Sequence, residues 1–315
     1  MRILILGAGA IGGYFGGRLV ESGADVTFLV RKRRQQQLEE DGLIIKSPVG
    51  DAKLAVRTEL AGEMHRRYDI VLVTCKAYDL KEAEAAIEPH IEAGAIALPL
   101  LNGMAHNDLF RERFGHGRVV GGITQISTTI NAEGEIEHLN SVARLAFGGF
   151  ADEPNPHEIK PLLESLLATT QKAKFTSRLV EPIDQSLWDK WVMLATLAGM
   201  TTLMRASVGE IMATEEGAEL MAEFLEETTA VATEFEYPPA PDYLKSVKEL
   251  LFDRKSSFTA SMLRDMEAGG RIEGDHIIGD MYRRAHEAGL DAQLLRIAYC
   301  HLQAYEVRRE RGAGV

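Results

Sequence analysis

The fold is decided by residues 1–30 of the chain, which read MRILILGAGAIGGYFGGRLVESGADVTFLV. An apolar run from Ile3 to Leu6 meets a glycine-rich turn, a helical pattern follows, and a second apolar run extends from Val26 to Val30. The order strand, glycine turn, helix, strand is typical of a unit that binds a dinucleotide. The alternative, a glycine-rich turn in an unrelated α/β protein, explains less well why the turn stands between two strand patterns.

The glycines of this turn have distinct physical tasks. Gly7 allows a tight turn off the strand, Gly9 lets a diphosphate approach the backbone, and Gly12 lets the helix pack closely on the strand. The N–H groups at the start of the helix favour the negative charge of the diphosphate. The residues that we predict to bind the cofactor here are Gly7, Gly9, Ala10, Ile11 and Gly12.

The residues after the second strand indicate which dinucleotide is bound. NAD sites usually place Asp or Glu there to bind the ribose 2′-hydroxyl, but the chain reads Arg31-Lys32-Arg33-Arg34 and has no acid until Glu39. An arginine can pair with a 2′-phosphate through charge-assisted, bidentate hydrogen bonds. Arg31 therefore predicts NADP as the cofactor. The alternatives are a solvated basic helix start and a nuclear-localisation-like run.

Composition limits the function classes. The chain has 315 residues, a length that is sufficient for two domains with hydrophobic cores. Its residues are 45% hydrophobic and 26% charged, as in an ordinary globular protein. The net charge of −12 disfavours nucleic acid and anionic membranes as partners, and no apolar run approaches the roughly 20 residues of a membrane span. Two cysteines far apart in sequence indicate a reducing, cytoplasmic location. Nine scattered histidines lack metal-binding spacing, so we expect no metal site.

Strand and helix patterns alternate in the first half of the chain. The strand-like runs are 2–6, 25–30, 43–46, 69–74 and 95–101. They predict a parallel sheet with helices on both faces. Further strand-like runs, which we expect to form an antiparallel extension of that sheet, are 119–129, 135–139 and 143–147.

Beyond residue 183 the strand signals vanish. The helical patterns are 184–203, 206–235, 240–266, 272–288 and 291–308. We therefore predict an α/β Rossmann-like dinucleotide-binding domain at 1–180, followed by an all-helical domain at 181–315. The apolar helices of the second domain are compatible with a homodimer.

Polar residues that could carry chemistry stand at strand ends and on one apolar helix. Ligands bind at the carboxyl ends of strands in open α/β sheets, where Lys76 and Asn102 follow the fourth and fifth strands. Lys190 lies on an apolar helix, where burial should lower its pKa into a range useful for proton transfer. Ser261 and Glu273, across a Gly-Gly turn, could contact one ligand. Taken singly, the two lysines are also typical of solvated lysines, and Asn102 with the glycine after it is typical of a turn. Ser261 and Glu273 would each also be typical of ordinary surface residues.

Together these motifs resemble the ketopantoate reductase (2-dehydropantoate 2-reductase) family over nearly the whole chain. The matching residues are Gly7-x-Gly9-x-x-Gly12, Arg31, Lys76, Asn102-Gly103-Met104, Trp188-x-Lys190, Ser261-Met262-Leu263-x-Asp265 and Glu273. The resemblance implies NADPH-dependent reduction of 2-dehydropantoate to pantoate, with a small-molecule 2-oxo acid as the partner.

The resemblance also implies a role for each polar residue. By this resemblance, Lys190 would be the general acid that protonates the carbonyl oxygen, and Glu273 would hold the substrate hydroxyl and steady Lys190. Ser261 binds the substrate carboxylate. Asn102 positions the nicotinamide ribose and the substrate, and Lys76 lies near the cofactor phosphates or ribose.

One departure from the family pattern bears on the substrate. The family carries two Asn on the helix face of the catalytic lysine, where this chain has Leu194 and Ala198, and Phe258 replaces a third. Each lost hydrogen bond can cost about 1–3 kcal/mol. We therefore expect Leu194 and Ala198 to line a pocket for a substrate with a more apolar tail. Thr201 or Arg205 could supply a polar contact in place of the missing amides.

Three functions stay open from the sequence. They are reduction of 2-dehydropantoate, the same chemistry on a more apolar 2-oxo acid, and non-catalytic sensing of NADP(H). Lys190 and Glu273 disfavour the sensor, because a protein that only binds the cofactor has no need of a desolvated acid. Leu194 and Ala198 disfavour 2-dehydropantoate.

Overall fold

A computed structural model describes residues 1–312, so the last three residues of the predicted domain 181–315 lie outside the described residues. The described chain forms two compact units. One comprises Met1–Leu101 with His106–Asp184, and the other comprises Asn102–Ala105 with the chain from Gln185 onward. The short segment Asn102–Ala105 therefore groups with helices far from it in sequence.

The first unit is built from strands β1–β10 and helices α1–α5. The strands are β1 Arg2–Leu6, β2 Asp25–Leu29, β3 Leu43–Lys46, β4 Ala52–Leu54, β5 Arg57–Glu59, β6 Ile70–Val73, β7 Ile96–Pro99, β8 Gly121–Ile130, β9 Ile136–Gly148 and β10 Thr176–Leu179. The helices are α1 Ala10–Glu21, α2 Lys32–Asp41, α3 Leu80–Glu92, α4 Ala105–Phe114, whose first residue belongs to the second unit, and α5 Pro156–Thr170.

A parallel sheet carries the dinucleotide-binding pattern. Its strand order is β5-β2-β1-β6-β7, and every neighbouring pair is parallel. Leu6 of β1 is aligned with Leu29 of β2 and with Val73 of β6. This register brings the carboxyl ends of the three strands together, which is where open α/β sheets bind ligands. The predicted parallel sheet is confirmed for the runs 2–6, 25–30, 69–74 and 95–101, whereas the run 43–46 forms β3 of a second sheet, so its predicted place is wrong.

The strands after residue 119 do not extend this sheet, so that prediction is wrong. Together with β3 and β4 they form a second sheet of order β10-β9-β3-β4, in which β8 is paired antiparallel to β9. The predicted runs 135–139 and 143–147 are one strand, β9, whose length lets it pair with β8, β10 and β3 at once. A bond from the Val120 N–H to the Ala97 carbonyl, 2.9 Å long, connects the first sheet to the start of β8.

Helix α1 is a tightly packed, glycine-rich helix that contacts strands of both sheets. A Cβ on Gly16 would lie within 2.6 Å of Ile5 and Phe28 in the parallel sheet. A Cβ on Gly13 would lie 2.7 Å from Ile136 in the second sheet. The pattern GGYFGG therefore allows close packing in two directions, where any larger residue would need the neighbours to move.

The second unit is helical. Its helices are α6 Asp184–Met204, α7 Val208–Met212, α8 Gly217–Glu234, α9 Pro241–Leu251, α10 Ser261–Glu267, α11 Asp280–Glu287 and α12 Gln293–Gly312. One turn of π-helix, Asp275–Gly279, leads directly into α11. No helix of the described residues is long and apolar enough to cross a membrane.

Two of the long predicted helices are broken. The predicted helix 206–235 is divided into α7 and α8, where a Cβ on Gly217 would lie 1.9 Å from the Ile211 carbonyl oxygen. Ser207 and Glu210 form a capping box that starts α7. The predicted helix 240–266 is likewise divided into α9 and α10.

Candidate active site

The glycine turn in the first unit has the geometry that a dinucleotide needs. Gly7 has φ of +95°, and a Cβ on Gly12 would lie 2.3 Å from both the Gly7 oxygen and Thr74 Oγ1. A Cβ on Gly9 would meet nothing within 4 Å, so the space over Gly9 is open. Helix α1 starts at Ala10 with no side-chain cap on its N–H groups. This cradle fits a diphosphate, held by backbone N–H groups at a helix N-terminus.

The predicted cofactor cation, Arg31, is exposed and already paired. Its guanidinium lies 2.5 Å from Glu82 Oε2 and 3.5 Å from Asp79 Oδ2, and 73% of its side chain is exposed. The Glu82 hydrogen bond is the main cause of a raised pKa for Arg31. A 2′-phosphate at this position has to compete with two carboxylates for the guanidinium.

Arg34 is a neighbouring cation that no sequence motif singled out. Its Nε donates to the Ala8 carbonyl inside the glycine turn at 3.1 Å, and its Nη1 donates to the Gly134 carbonyl at 2.8 Å. Gly134 lies in the turn between β8 and β9, so Arg34 links the glycine turn to that hairpin. The only available signal was its place in the basic run 31–34.

Lys76 lies at the same sheet edge as the glycine turn. It follows β6, is partly exposed, and comes two residues after Thr74. The Thr74 hydroxyl donates to the Leu6 carbonyl at 2.8 Å, which fixes the end of β6 to the end of β1. Lys76 therefore follows a strand end that lies beside Gly7, as a residue near the cofactor should. Its role in binding the cofactor stays a prediction.

Lys190 and Asn102 meet in the second unit. Lys190 Nζ donates to Asn102 Oδ1 at 3.0 Å, although 88 residues separate them. Burial lowers the pKa of Lys190 to about 8, and the negative charge of Glu273 opposes that decrease. Glu273 is only 7% exposed. Burial therefore acts on the Lys190 pKa in the predicted direction, and Asn102 is the acceptor for its ammonium group; the catalytic role of Lys190 stays a prediction.

The π-helical turn and the Asn102 turn are in direct contact. Gly103 has φ of +87°, and a Cβ there would lie 2.9 Å from both Cδ2 and the carbonyl oxygen of His276. Trp191, which follows Lys190 on α6, donates from Nε1 to the Ile277 carbonyl at 3.0 Å. His276 is buried. Nothing in the sequence singled out His276, because a π-helical turn leaves no clear hydrophobic period.

The helix face beyond Lys190 differs in part from the expected pocket wall. Leu194 is partly exposed, whereas Ala198 is completely buried and can influence a substrate only through packing. Thr201 is also completely buried; its hydroxyl donates to the Leu197 carbonyl at 2.7 Å and accepts from the Ala260 N–H at 3.4 Å. The expectation that Thr201 contacts a substrate is therefore wrong, because its hydroxyl is used inside the protein.

Ser261 begins helix α10, directly after the backbone that Thr201 holds. Ala260 is the N-cap residue of α10, and Ser261 is partly exposed. Thr201 therefore fixes the start of α10. Arg205, the other proposed polar contact, is exposed and has a left-handed φ of 54° at the end of α6.

Comparison with known families decides which family these features belong to. The family model described as ketopantoate reductase PanE/ApbA matches residues 3–152, and the model of its C-terminal part matches residues 182–306. The chain belongs to the ketopantoate reductase family. Members of this family are NADP-dependent oxidoreductases that act on CH–OH groups.

Similar proteins cover the chain almost completely. The uncharacterized oxidoreductase YkpB of Bacillus subtilis is 33% identical, over 98% of this chain and 100% of that protein. The crystal structure of 2-dehydropantoate 2-reductase from Geobacter metallireducens is 27% identical with a TM-score of 0.86, covering 96% of this chain and 99% of that one. D-mandelate dehydrogenase with NADH and anilino(oxo)acetate has a TM-score of 0.86 at 21% identity, covering 98% and 100%, which shows the fold alone.

The described residues contain no group of three or more His, Cys, Asp or Glu that could hold a metal ion. The polar groups described above are a lysine, an amide, carboxylates, hydroxyls, two guanidinium groups and an imidazole. Such a set can bind and move protons and can hold a carboxylate or a carbonyl oxygen.

Proposed function

We propose that this protein reduces a 2-oxo acid to a 2-hydroxy acid with NADPH, and that 2-dehydropantoate is the leading substrate. The observation that carries the proposal is Lys190, whose ammonium lies 3.0 Å from the Asn102 oxygen and whose pKa is about 8. A lysine with this pKa is largely protonated at pH 7 and still gives up its proton readily. Such a group suits general acid catalysis near neutral pH.

Lys190 supplies the proton for the reaction. NADPH, when bound, supplies a hydride to the carbonyl carbon of the substrate. The Lys190 ammonium stabilises the negative charge that develops on the carbonyl oxygen, and its proton becomes the hydrogen of the new hydroxyl. Asn102 orients the ammonium before and during this transfer.

Glu273 and Ser261 hold the substrate in the proposal. Glu273 exerts a Coulombic effect on Lys190 that favours the protonated, active form of the lysine. Its carboxylate can accept a hydrogen bond from a substrate hydroxyl. Ser261, partly exposed at the start of α10, can donate to the substrate carboxylate.

We assign the residues that would hold the phosphates of the cofactor to the first unit. The diphosphate binds the turn Gly7, Gly9, Ala10, Ile11 and Gly12, whose open space over Gly9 supports this role. Arg31 binds the 2′-phosphate by exchanging its carboxylate partners for the ligand. Lys76, at the same edge of the sheet, supplies a second positive charge near the phosphates or the ribose.

A more apolar 2-oxo acid is the second candidate substrate. Leu194 lies one turn after Lys190 on α6 and keeps part of its surface exposed, in place of an amide that could bind a hydroxyl. An apolar side chain favours an apolar substrate tail by removing apolar area from water. The mandelate-type relatives share the fold, which by itself selects no substrate.

Oxidation of NADPH with a panel of 2-oxo acids tests the proposal. The panel contains 2-dehydropantoate and 2-oxo acids whose tails grow in apolar size, and the matched variant is Leu194→Asn. If 2-dehydropantoate is the substrate, it has the highest kcat/KM in the wild type. If the pocket is apolar, a bulkier acid is preferred, and Leu194→Asn shifts preference towards 2-dehydropantoate. NADPH binding without turnover of any acid would instead support the sensor.

A further inference from the structure

We propose that His276 is a positioning residue that holds Asn102 on the Lys190 ammonium. This inference rests on the proposed function, because it assigns Lys190 as the general acid. It concerns a residue that does not touch the reacting atoms and that acts through the Asn102-Gly103 turn.

The first support is the contact between His276 and Gly103. Any Cβ at Gly103 would lie 2.9 Å from the imidazole Cδ2 and from the His276 carbonyl oxygen, so the turn lies directly against this residue. The positive φ of Gly103, +87°, is a conformation that other residues adopt only with strain. The turn that places Asn102 Oδ1 beside Lys190 therefore packs against His276.

The second support is a closed series of contacts within the second unit, which we call the Lys190 frame. Lys190 bonds Asn102, Gly103 contacts His276, and the next residue, Ile277, accepts a hydrogen bond from Trp191. Trp191 follows Lys190 in the chain, so the series returns to its start. Trp191 is 1% exposed, and its bond to the Ile277 carbonyl holds the π-helical turn against α6.

The third support is electrostatic. Glu273 acts on both Lys190 and His276, raising the pKa of each against the lowering effect of burial. The two side chains therefore share the field of one buried carboxylate. A shift of His276 that released the Asn102-Gly103 turn would remove the amide acceptor from an ammonium in this desolvated place. The ammonium form would then be less favoured.

The experiment measures the pKa of Lys190 directly, by NMR titration of ¹³C-labelled lysine side chains in the full chain. The Lys190 signal is assigned by its absence in Lys190→Met. We expect His276→Ala to lower the Lys190 pKa by about one pH unit, because a hydrogen bond to a charged group contributes roughly 1.5–3 kcal/mol. His276→Phe keeps a ring of similar size against Gly103 and should restore most of the wild-type value.

Two further variants separate positioning from general stability. Trp191→Phe removes the bond to Ile277 together with part of a buried ring, and it should lower the Lys190 pKa in the same direction. Tyr299→Phe removes a bond to Asp275 in the same π-helical turn, 2.5 Å long, and should leave the Lys190 pKa unchanged. An unchanged pKa in folded His276→Ala, or an equal shift in Tyr299→Phe, contradicts the proposal.

Turnover provides the second readout. In His276→Ala we expect kcat for 2-oxo acid reduction to fall at least tenfold, while the Kd for NADPH changes less than twofold. A lower kcat with an unchanged Lys190 pKa would place the effect of His276 elsewhere and overturn the inference. The NMR result stands independently of the proposed function, because it is obtained even if the wild type reduces none of the 2-oxo acids.

Discussion

At the scale of single residues, the protonation of Lys190 should set the pH dependence of reduction. The folded pKa is about 8, so the acid form that donates the proton declines above that pH. We expect kcat for reduction to be flat below about pH 7 and to fall towards tenfold per pH unit above about pH 9. In the reverse reaction, oxidation of the 2-hydroxy acid, kcat should instead increase with pH through this range, because that reaction needs the neutral amine of Lys190.

The pH profile of Asn102→Ala is the matched comparison. Removing the acceptor of the Lys190 hydrogen bond should move the descending limb to lower pH by about one unit. A limb that keeps its position in Asn102→Ala, or a rate that increases through pH 9, would show that Lys190 is not the proton donor.

The same lysine should make stability depend on pH in a defined direction. Its pKa is lowered from 10.5 to about 8 by folding, so between these values the unfolded chain binds more protons than the folded one. Lys190 therefore lowers the free energy of unfolding below pH 8, and this destabilisation disappears as the pH rises to about 10.5. Lys190→Met has no such group.

Urea unfolding of both proteins at pH 7 and pH 10.5 measures this difference. The wild type should gain about 2–3 kcal/mol relative to Lys190→Met across that interval, because one pKa unit corresponds to about 1.4 kcal/mol. If the difference between the two proteins is the same at both pH values, Lys190 does not titrate as described.

Arg31 and Arg34 should affect cofactor binding in different ways. Arg31→Ala removes the cation that we assign to the 2′-phosphate, so the Kd for NADPH should rise about tenfold or more relative to the Kd for NADH. Arg34→Gln loosens the glycine turn through Ala8, so both Kd values should rise by the same factor. Arg33→Ala, on an exposed neighbour, is the control and should change neither.

Fluorescence titration with the two dinucleotides measures these constants. Equal losses for NADPH and NADH in Arg31→Ala would remove the basis for assigning NADP through this residue. A selective loss of NADPH in Arg34→Gln would transfer that role to Arg34.

Single residues also show what the sequence could and could not predict. The apolar helix around Lys190 predicted a lowered pKa, because burial follows from periodicity along one helix. His276 and Arg34 were missed because their partners, Gly103 and Ala8, lie far away in the chain. Thr201 was wrongly predicted to contact a substrate. Helical spacing placed it on the same helix face as Lys190, but spacing cannot show that its hydroxyl is already bonded to the Leu197 carbonyl.

At the scale of elements, helix α1 depends on its glycines. Gly16→Ala should lower the free energy of unfolding by about 1–3 kcal/mol, since its methyl group would lie within 2.6 Å of Ile5 and Phe28. Gln36→Ala, on an exposed position of α2, is the control and should have little effect. Chemical denaturation of both variants is the measurement; a Gly16→Ala protein as stable as Gln36→Ala would mean that α1 can move away from the sheet.

The sequence predicted the elements better than their partners. Each strand of the parallel sheet that carries the cofactor motif was expected, except for β5, whose three residues leave no clear pattern. The separate second sheet was missed because strand periodicity does not say which edge a strand joins. The long helical patterns merged separate helices because the breaks at Gly217 and before Ser261 arise from packing and loop contacts.

At the scale of the whole molecule, the chain passes between its two units at residues 101–102, 105–106 and 184–185. The short segment Asn102–Ala105 is important for the candidate site, because it places Asn102 in the unit that contains Lys190. Composition and alternation predicted a Rossmann-like part followed by a helical part. They could not assign four residues after β7 to the helical unit, because that assignment depends on contacts with Lys190 and His276.

We propose that this family member is a 2-oxo acid reductase whose proton donor is Lys190. The most direct measurement compares wild type with Lys190→Met in NADPH oxidation by 2-dehydropantoate and the 2-oxo acid panel, with the Kd for NADPH determined on the same samples. We expect saturable turnover by the wild type, a loss of at least a thousandfold in kcat for the variant, and NADPH binding that is nearly unchanged. Turnover by Lys190→Met at a rate close to that of the wild type would show that Lys190 is not the proton donor.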